Sequence, residues 1–289
     1  MALFKIGDEM RAKWLYYYLS NNSVQTYFEQ IANGTSQHFI GLGQLRKLKI
    51  ADFSKESMRI ASILSAYDNL IEANSRRIKI LEQMAENLYK EWFVRFRFPN
   101  YQNTPIENGI PKGWEIVRLN DVIIEQPKSK VQVGEVEGNK GQYPFYTSGK
   151  NILHYNQYLV DGENILLNTG GVADVKYSIG KIHYSTDTWC IKGINNCTLF
   201  LYLYLQGILP EINSSYFEGA ALKHLKKASF KKKKLILPPS TLIAEFDFSA
   251  SVFYKEIFLL RKSNQLLTRQ RDLLLPRLMS GQLPPLTNQ

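Results

Sequence analysis

The chain has 289 residues, 44% hydrophobic and 21% charged, the balance of a soluble protein of about two units that each bury a core. No run reaches the roughly 18 apolar residues of a membrane span, and the N-terminus shows no signal-peptide pattern, so a cytoplasmic protein without membrane contact is expected. Two cysteines, Cys190 and Cys197, are too few for a disulfide framework or a zinc set, and the net charge of +10 favours an acidic partner, nucleic acid ahead of anionic membrane.

Residues 1–50 read as helix over Lys5 to Gln30, then as loop and short strand. A long helix follows over 54–98, with Ser54 as its N-cap. Up to Phe98 it contains no Gly or Pro, and at about 1.5 Å per residue the stretch from Ser54 to Phe93 alone is roughly 60 Å long. Its seam is Ile60, Leu64, Tyr67, Ile71, Asn74, Ile78, Leu81, Ala85, Leu88 and Trp92, a 3.5-residue period that needs a second helix to cover it. Pro99 and the polar residues 100–109 read as a linker. Residues 110–239 change character: short apolar runs at Trp114–Leu119, Tyr143–Tyr146 and Glu163–Leu167 lie between Gly, Asn and Ser clusters, a β-rich signature. A helical stretch at Thr198–Leu209 interrupts them. A second long helix over 240–281, broken at Pro276, and a tail of 282–289 complete the chain.

The two ends repeat each other at an offset of 186 residues. Leu15-Tyr16-Tyr17-Tyr18-Leu19 matches Leu201-Tyr202-Leu203-Tyr204-Leu205, Ser54 matches Ser240, and the first seam maps onto Phe246, Ala250, Phe253, Ile257, Leu260, Asn264, Leu267, Arg271, Leu274 and Leu278. Each seam holds one asparagine, Asn74 and Asn264, and a buried Asn fixes register by finding a polar mate. Pairing them antiparallel sets Ile60 against Leu278, Leu64 against Leu274, Ile71 against Leu267, Ile78 against Leu260 and Leu81 against Ile257. Ala85 then meets Phe253, Leu88 meets Ala250, Trp92 lies near Phe246, and Tyr67 falls opposite Arg271 as an expected ring–guanidinium contact. A parallel pairing would bury Asn74 against Leu260 at about 1–3 kcal/mol. The expected fold class is α+β, with β-rich material joined by two long antiparallel coiled-coil helices.

No catalytic constellation stands out. Pro238-Pro239 lacks the flanking residues of an adenine methyltransferase motif, no phosphate-binding Gly loop occurs, and the four histidines have no metal-ligand spacing. Asp161, Glu163, Asp174 and Lys176 allow a nuclease reading, against which stands that of solvated loop charges. No catalytic residue, metal or cofactor is therefore expected. The candidates for DNA contact are loops of small polar residues: Ser148, Gly149 and Lys150; Asn168 and Thr169, with Lys176 behind them; and Lys223-His224, which recurs as Gln37-His38. Asn and Lys can address adenine and guanine edges, and Gly permits close backbone approach; as plain turns the same residues would look alike. Lys231 to Lys234 reads either as a phosphate-neutralising strand or as a solvated edge strand.

Ordered motifs then point to a family. Ile60-Ala61-Ser62-Ile63-Leu64, Asp68-Asn69-Leu70-Ile71-Glu72, Leu88-Tyr89-Lys90 and Trp92-Phe93-Val94-Arg95-Phe96 resemble the central conserved region of type I restriction-modification specificity subunits. Ile110-Pro111 with Gly113-Trp114 and Leu119 resembles the start of a target recognition domain, and Arg271-Asp272 through Gly281 the distal conserved region. The resemblance implies a non-catalytic subunit with recognition domains that each read half of a split duplex DNA site, and helices that dock methyltransferase subunits, with restriction subunits as further partners. The Gly-Trp opening occurs once, so 1–50 is expected to be the back end of a first recognition domain and 110–239 a complete one. Its Trp14–Tyr18 run would then lack its natural cover and favour self-association or a complementary fragment. A scaffold that docks methyltransferase but reads no DNA unaided, a free-standing DNA-binding regulator and a membrane-remodelling coiled coil are the competing readings.

Overall fold

The computed structural model describes residues 4–34, 38–50, 53–138, 141–220 and 222–283, in two compact units: Met1–Ile80 with Leu259–Gln289, and Leu81–Phe258. Gln37 and most of the tail lie outside the described residues. Eight α-helices are described: α1 Glu9–Ser20, α2 Asn22–Ile31, α3 Leu42–Arg46, α4 Lys55–Tyr89, α5 Thr198–Gly207, α6 Leu209–Ser215, α7 Lys227–Phe230 and α8 Ser240–Met279.

In the first unit, α1 starts at Asp8, whose carboxylate accepts from the backbone N–H of Arg11 at 2.7 Å, and α4 starts at Ser54, whose hydroxyl accepts from Ser57 at 3.2 Å. The core of this unit gathers Trp14 and Tyr17 from α1, Ile60, Ala61 and Leu64 from α4, and Leu278 from α8. Trp14, Leu15 and Tyr17 are buried, and of the expected bare patch only Tyr16 is well exposed, at 60%. The helix pair supplies the missing cover, so that patch gives no ground for self-association.

The expected break at Pro276 does not occur: α8 runs through it to Met279. Proline removes one helical hydrogen bond and costs about 3 kcal/mol mid-helix. Here it sits in the last turns, Ser280 still donates to its carbonyl at 3.0 Å, and Leu278 beyond it is only 3% exposed. Burying one leucine contributes about 1.5–3 kcal/mol, enough to offset most of that cost.

In the second unit, α4 widens into a π-helical turn, Lys90–Val94, which turns Phe93 into an aromatic cluster. Phe93 lies 4.9 Å from both Phe200 and Phe246 and 6.0 Å from Trp114, and Trp92 packs edge-on against Phe246 at 5.8 Å. The stretch expected as a linker is folded. It holds a short 3-10 turn and strand β1 (Ile106–Glu107), which pairs with β2 (Ile110–Pro111) across Asn108-Gly109, both at positive φ.

Strand β3 (Glu115–Arg118) pairs with the last strand of the unit, Lys234–Leu237. The central sheet is antiparallel: β4 (Ile123–Glu125) borders β10 (Thr188–Gly193), which borders β7 (Asn164–Asn168), which borders β8 (Val175–Ser178). Every residue of β7 is buried, as its apolar Ile165-Leu166-Leu167 centre requires. A smaller sheet joins β5 (Tyr143–Tyr146) to β6 (Ile152–Tyr155) and, in parallel, to β9 (His183–Tyr184). Cys190 in β10 and Cys197 before α5 are both buried. The strands β11 (Phe217–Glu218) and β12 (His224–Leu225) lie between α6 and α7.

The repeat is carried by structure. The order α1, α2, bridge Asn33–Phe39, α3, α4 in the first unit recurs as α5, α6, β11–β12, α7, α8 in the second. Trp14 and Leu15 are buried, and so are their counterparts Phe200 and Leu201.

Candidate nucleic-acid interface

Three loops of the second unit are tied together by hydrogen bonds around one cleft. In the first, after β5, Gly149 donates to Thr147 Oγ1 at 3.0 Å and Ser148 Oγ donates to the carbonyl of Asp187 at 2.8 Å. The second follows β7, where Thr169 donates to the Asp187 carbonyl at 2.9 Å. It is laced to the third by a ladder in which Gly171 donates to Lys223 O at 2.9 Å and Leu225 to Thr169 O at 3.0 Å, with Gly170 bridged to His224. Gly171 has φ +82°, a conformation that favours glycine and lets the chain turn there. The loops enclose an open cleft of about 730 Å³ whose lining includes Ser148, Lys150, Val172, Asp187, Leu222 and His224.

Of the expected DNA-contacting residues, Ser148, Gly149, Lys150, Asn168 and His224 line this cleft together. Lys150, Lys223 and His224 are exposed at its margin. Thr169 and Lys223 contribute backbone groups to the ladder. Asn168 and Lys176 take a different part from the expected one. Asn168 is 5% exposed; its amide donates to Ser148 O at 2.7 Å and Val172 O at 3.2 Å, and its Oδ1 accepts from Lys176 at 3.4 Å. Lys176 also donates to Thr147 O at 3.0 Å and pairs with Asp174 at 2.9 Å. Both side chains are committed to holding the loops, because a buried amide or ammonium must be satisfied from within. Sequence reasoning passed over Val172, Asp187 and Leu222; the signal available was a bulky aliphatic placed directly after Gly170-Gly171.

The lysine run also departs from the expected strand. Only Lys234 belongs to the strand Lys234–Leu237, which we label β13. Lys231 pairs with Glu125, and Lys233 with Glu211 at 2.6 Å, so half the run is neutralised, while Lys232 and Lys234 are exposed. Asp174 faces Lys176, and among the described residues no His, Cys, Asp and Glu group could hold a metal.

The helix-pair residues fall as follows. In the first unit, Asn74 Nδ2 donates to Asn264 Oδ1 at 2.9 Å, so the two helices run antiparallel with these residues opposed. Ile60, Leu64 and Leu260 are buried, and Tyr67, Ile71, Ile78 and Leu267 half-buried. In the second unit, Phe246 and Ile257 are buried, and Leu81, Trp92 and Phe253 half-buried. Arg271 does not stack on Tyr67. Its guanidinium donates to Asp68 at 2.5 Å and to Asp272, and Asp68 also accepts from the Tyr17 hydroxyl, since a carboxylate satisfies a half-buried cation better than a ring face. On the outer side of α8, Leu259, Leu266 and Leu273 are each more than half exposed at seven-residue spacing. Among the described residues no helix is long and apolar enough to cross a membrane.

Residues 111–246 match the family model described as type I restriction modification DNA specificity domain. The chain is similar to the type I restriction enzyme MjaIX specificity subunit of Methanocaldococcus jannaschii, at 25% identity over 303 residues, covering 96% of this chain and 70% of that one. It is 29% identical over 182 residues to the EcoDI specificity subunit of Escherichia coli, covering 60% of this chain and 39% of the other. The fold is shared with the crystal structure of a type-I restriction-modification system S subunit from M. genitalium, at a TM-score of 0.59 and 18% identity over 97% of this chain and 75% of that one.

Proposed function

We propose that the chain is a specificity subunit of a type I restriction-modification system, which reads part of a bipartite duplex DNA site through the cleft of its second unit and carries no chemistry of its own. The observation that carries the reading is the convergence of Ser148–Lys150, Gly170–Asp174 and Leu222–His224 on one open cleft within the matched specificity domain. Exposed Lys150 and Lys223 at its margin, on a chain of net charge +10, suit a polyanion. The outer stripe Leu259, Leu266, Leu273 suits an amphipathic helix of a methyltransferase subunit, and Lys262 and Arg269 beside it favour an acidic one. The other part of the split site is assigned to a second copy or a complementary chain.

The test is duplex binding by fluorescence anisotropy, with and without a methyltransferase subunit, across a salt series. Affinity should fall steeply with salt, and methyl transfer from S-adenosylmethionine should require the partner. Methylation by the chain alone, or binding indifferent to salt, would overturn the reading. A monomer by light scattering that still protects a split site would overturn the assignment of its second half.

A further inference from the structure

Within the cleft, two side chains stand out against their surroundings. Val172 is 72% exposed and Leu222 is 58% exposed, in loops whose other residues are small or polar. Their backbones are not loose. The carbonyl of Val172 accepts from Asn168 at 3.2 Å, and the next amide, of Ala173, donates to Asn213 Oδ1 at 3.1 Å. Leu222 precedes Lys223, whose carbonyl is held by Gly171 at 2.9 Å. Val172 is therefore presented to solvent from an anchored loop, and Leu222 from the residue beside an anchored carbonyl, an arrangement that lowers the ordering cost of binding.

The lining also says which part of a duplex they meet. Asp187 places an exposed carboxylate in the same wall, while the carboxylate of Asp174 is paired with Lys176. Among the described residues Asp187 has no cationic partner; such an anion repels phosphate but can accept from the amino group of a base, so the cleft suits base edges, with Lys150 and Lys223 at the margin for the backbone. Among base edges in the major groove, the apolar feature is the C5-methyl group of thymine. Resting on the proposed DNA-reading role, we infer that Val172 and Leu222 are specificity-determining residues that read a thymine methyl group in the half-site of this unit.

The experiment uses the full chain. A random-sequence duplex pool is enriched by binding, and the selected duplex is remade with deoxyuridine in place of each thymine in turn, which removes only the methyl. At one or more positions affinity should drop about four- to tenfold, the range for losing one buried methyl contact. Val172→Ser and Leu222→Ser, both at exposed positions, should bind the thymine and uracil duplexes alike. Two results overturn the inference while leaving DNA reading intact: enrichment of a sequence insensitive to every thymine replacement, or variants that weaken thymine and uracil duplexes equally. That second pattern would mark the two residues as an apolar wedge between base steps or as loop framework. Absence of any duplex binding by the wild-type chain would overturn the DNA-reading role itself, and this inference with it.

Discussion

Asn74 and Asn264 face each other across the helix pair, and the contact is lopsided. Asn74 gives one hydrogen bond to Asn264, whereas the Asn264 amide also reaches Ile71 O at 3.4 Å and Ser75 Oγ at 3.3 Å. Asn264→Leu should therefore cost more, about 2 kcal/mol against about 1 kcal/mol for Asn74→Leu, since each leaves polar groups unmatched. The double leucine variant should recover most of the loss, because two apolar partners replace two polar ones. Urea unfolding measures all three; additive losses would show that the amides do not act as a pair.

Asp68 accepts from both Arg271 and Tyr17, with the Asp68 and Arg271 side chains 31% and 25% exposed. Asp68→Ala should destabilise the fold by about 2–3 kcal/mol, below the figure for a fully buried pair because water still reaches it. Tyr17→Phe removes one of the two bonds and should cost about 1 kcal/mol. Equal losses for the two variants in denaturant titration would place the weight on the phenol rather than the ion pair.

What the sequence revealed and what it hid follow from how each residue earns its place. A two-helix seam buries one stripe, so its period survives in the order of Ile60, Leu64, Tyr67 and Ile71, and a lone Asn in each stripe marks the register. The β-rich middle was legible as composition, but its strand order was not, because pairing of β10 with both β4 and β7 depends on contacts distant in sequence. Asn168 reads the same whether its amide faces DNA or its own loops; only burial distinguishes them. The helix through Pro276 depends on the burial of Leu278, a tertiary term that local propensity does not contain. By contrast, the Asn108-Gly109 hairpin had its local signal in plain view within the supposed linker.

Asp247, on α8 in the second unit, leaves its Oδ1 without a hydrogen-bond partner, and burial, with the Glu163 charge adding, pushes its carboxyl up to about 7. A carboxyl that holds its proton more tightly when folded favours the fold at low pH. That contribution is full below about pH 4, the unfolded value, and is lost as pH rises through about 7. Asp247→Asn removes the titration. The Tm of the variant relative to wild type should therefore rise between pH 5 and pH 8 in calorimetric scans; a constant gap would show that Asp247 does not titrate there.

Charge removal is expected to matter at the cleft margin rather than in the lysine run. Lys150→Ala and Lys223→Ala should each reduce the slope of log affinity against log salt by about 1, the mark of one lost phosphate contact. Lys231→Ala and Lys233→Ala should leave the slope unchanged, since those ammonium groups already face Glu125 and Glu211. Anisotropy titrations from low to moderate salt separate the two pairs.

The buried cysteines have a practical corollary. Burial pushes both the Cys190 and Cys197 thiols up to about 12. At pH 8 both therefore stay in the unreactive thiol form, and steric access is closed as well. Maleimide reagents will pass the native chain by. A single cysteine engineered at an exposed loop position such as Lys150 would then take a fluorophore alone, without first removing the natural pair, and report directly on occupancy of the cleft.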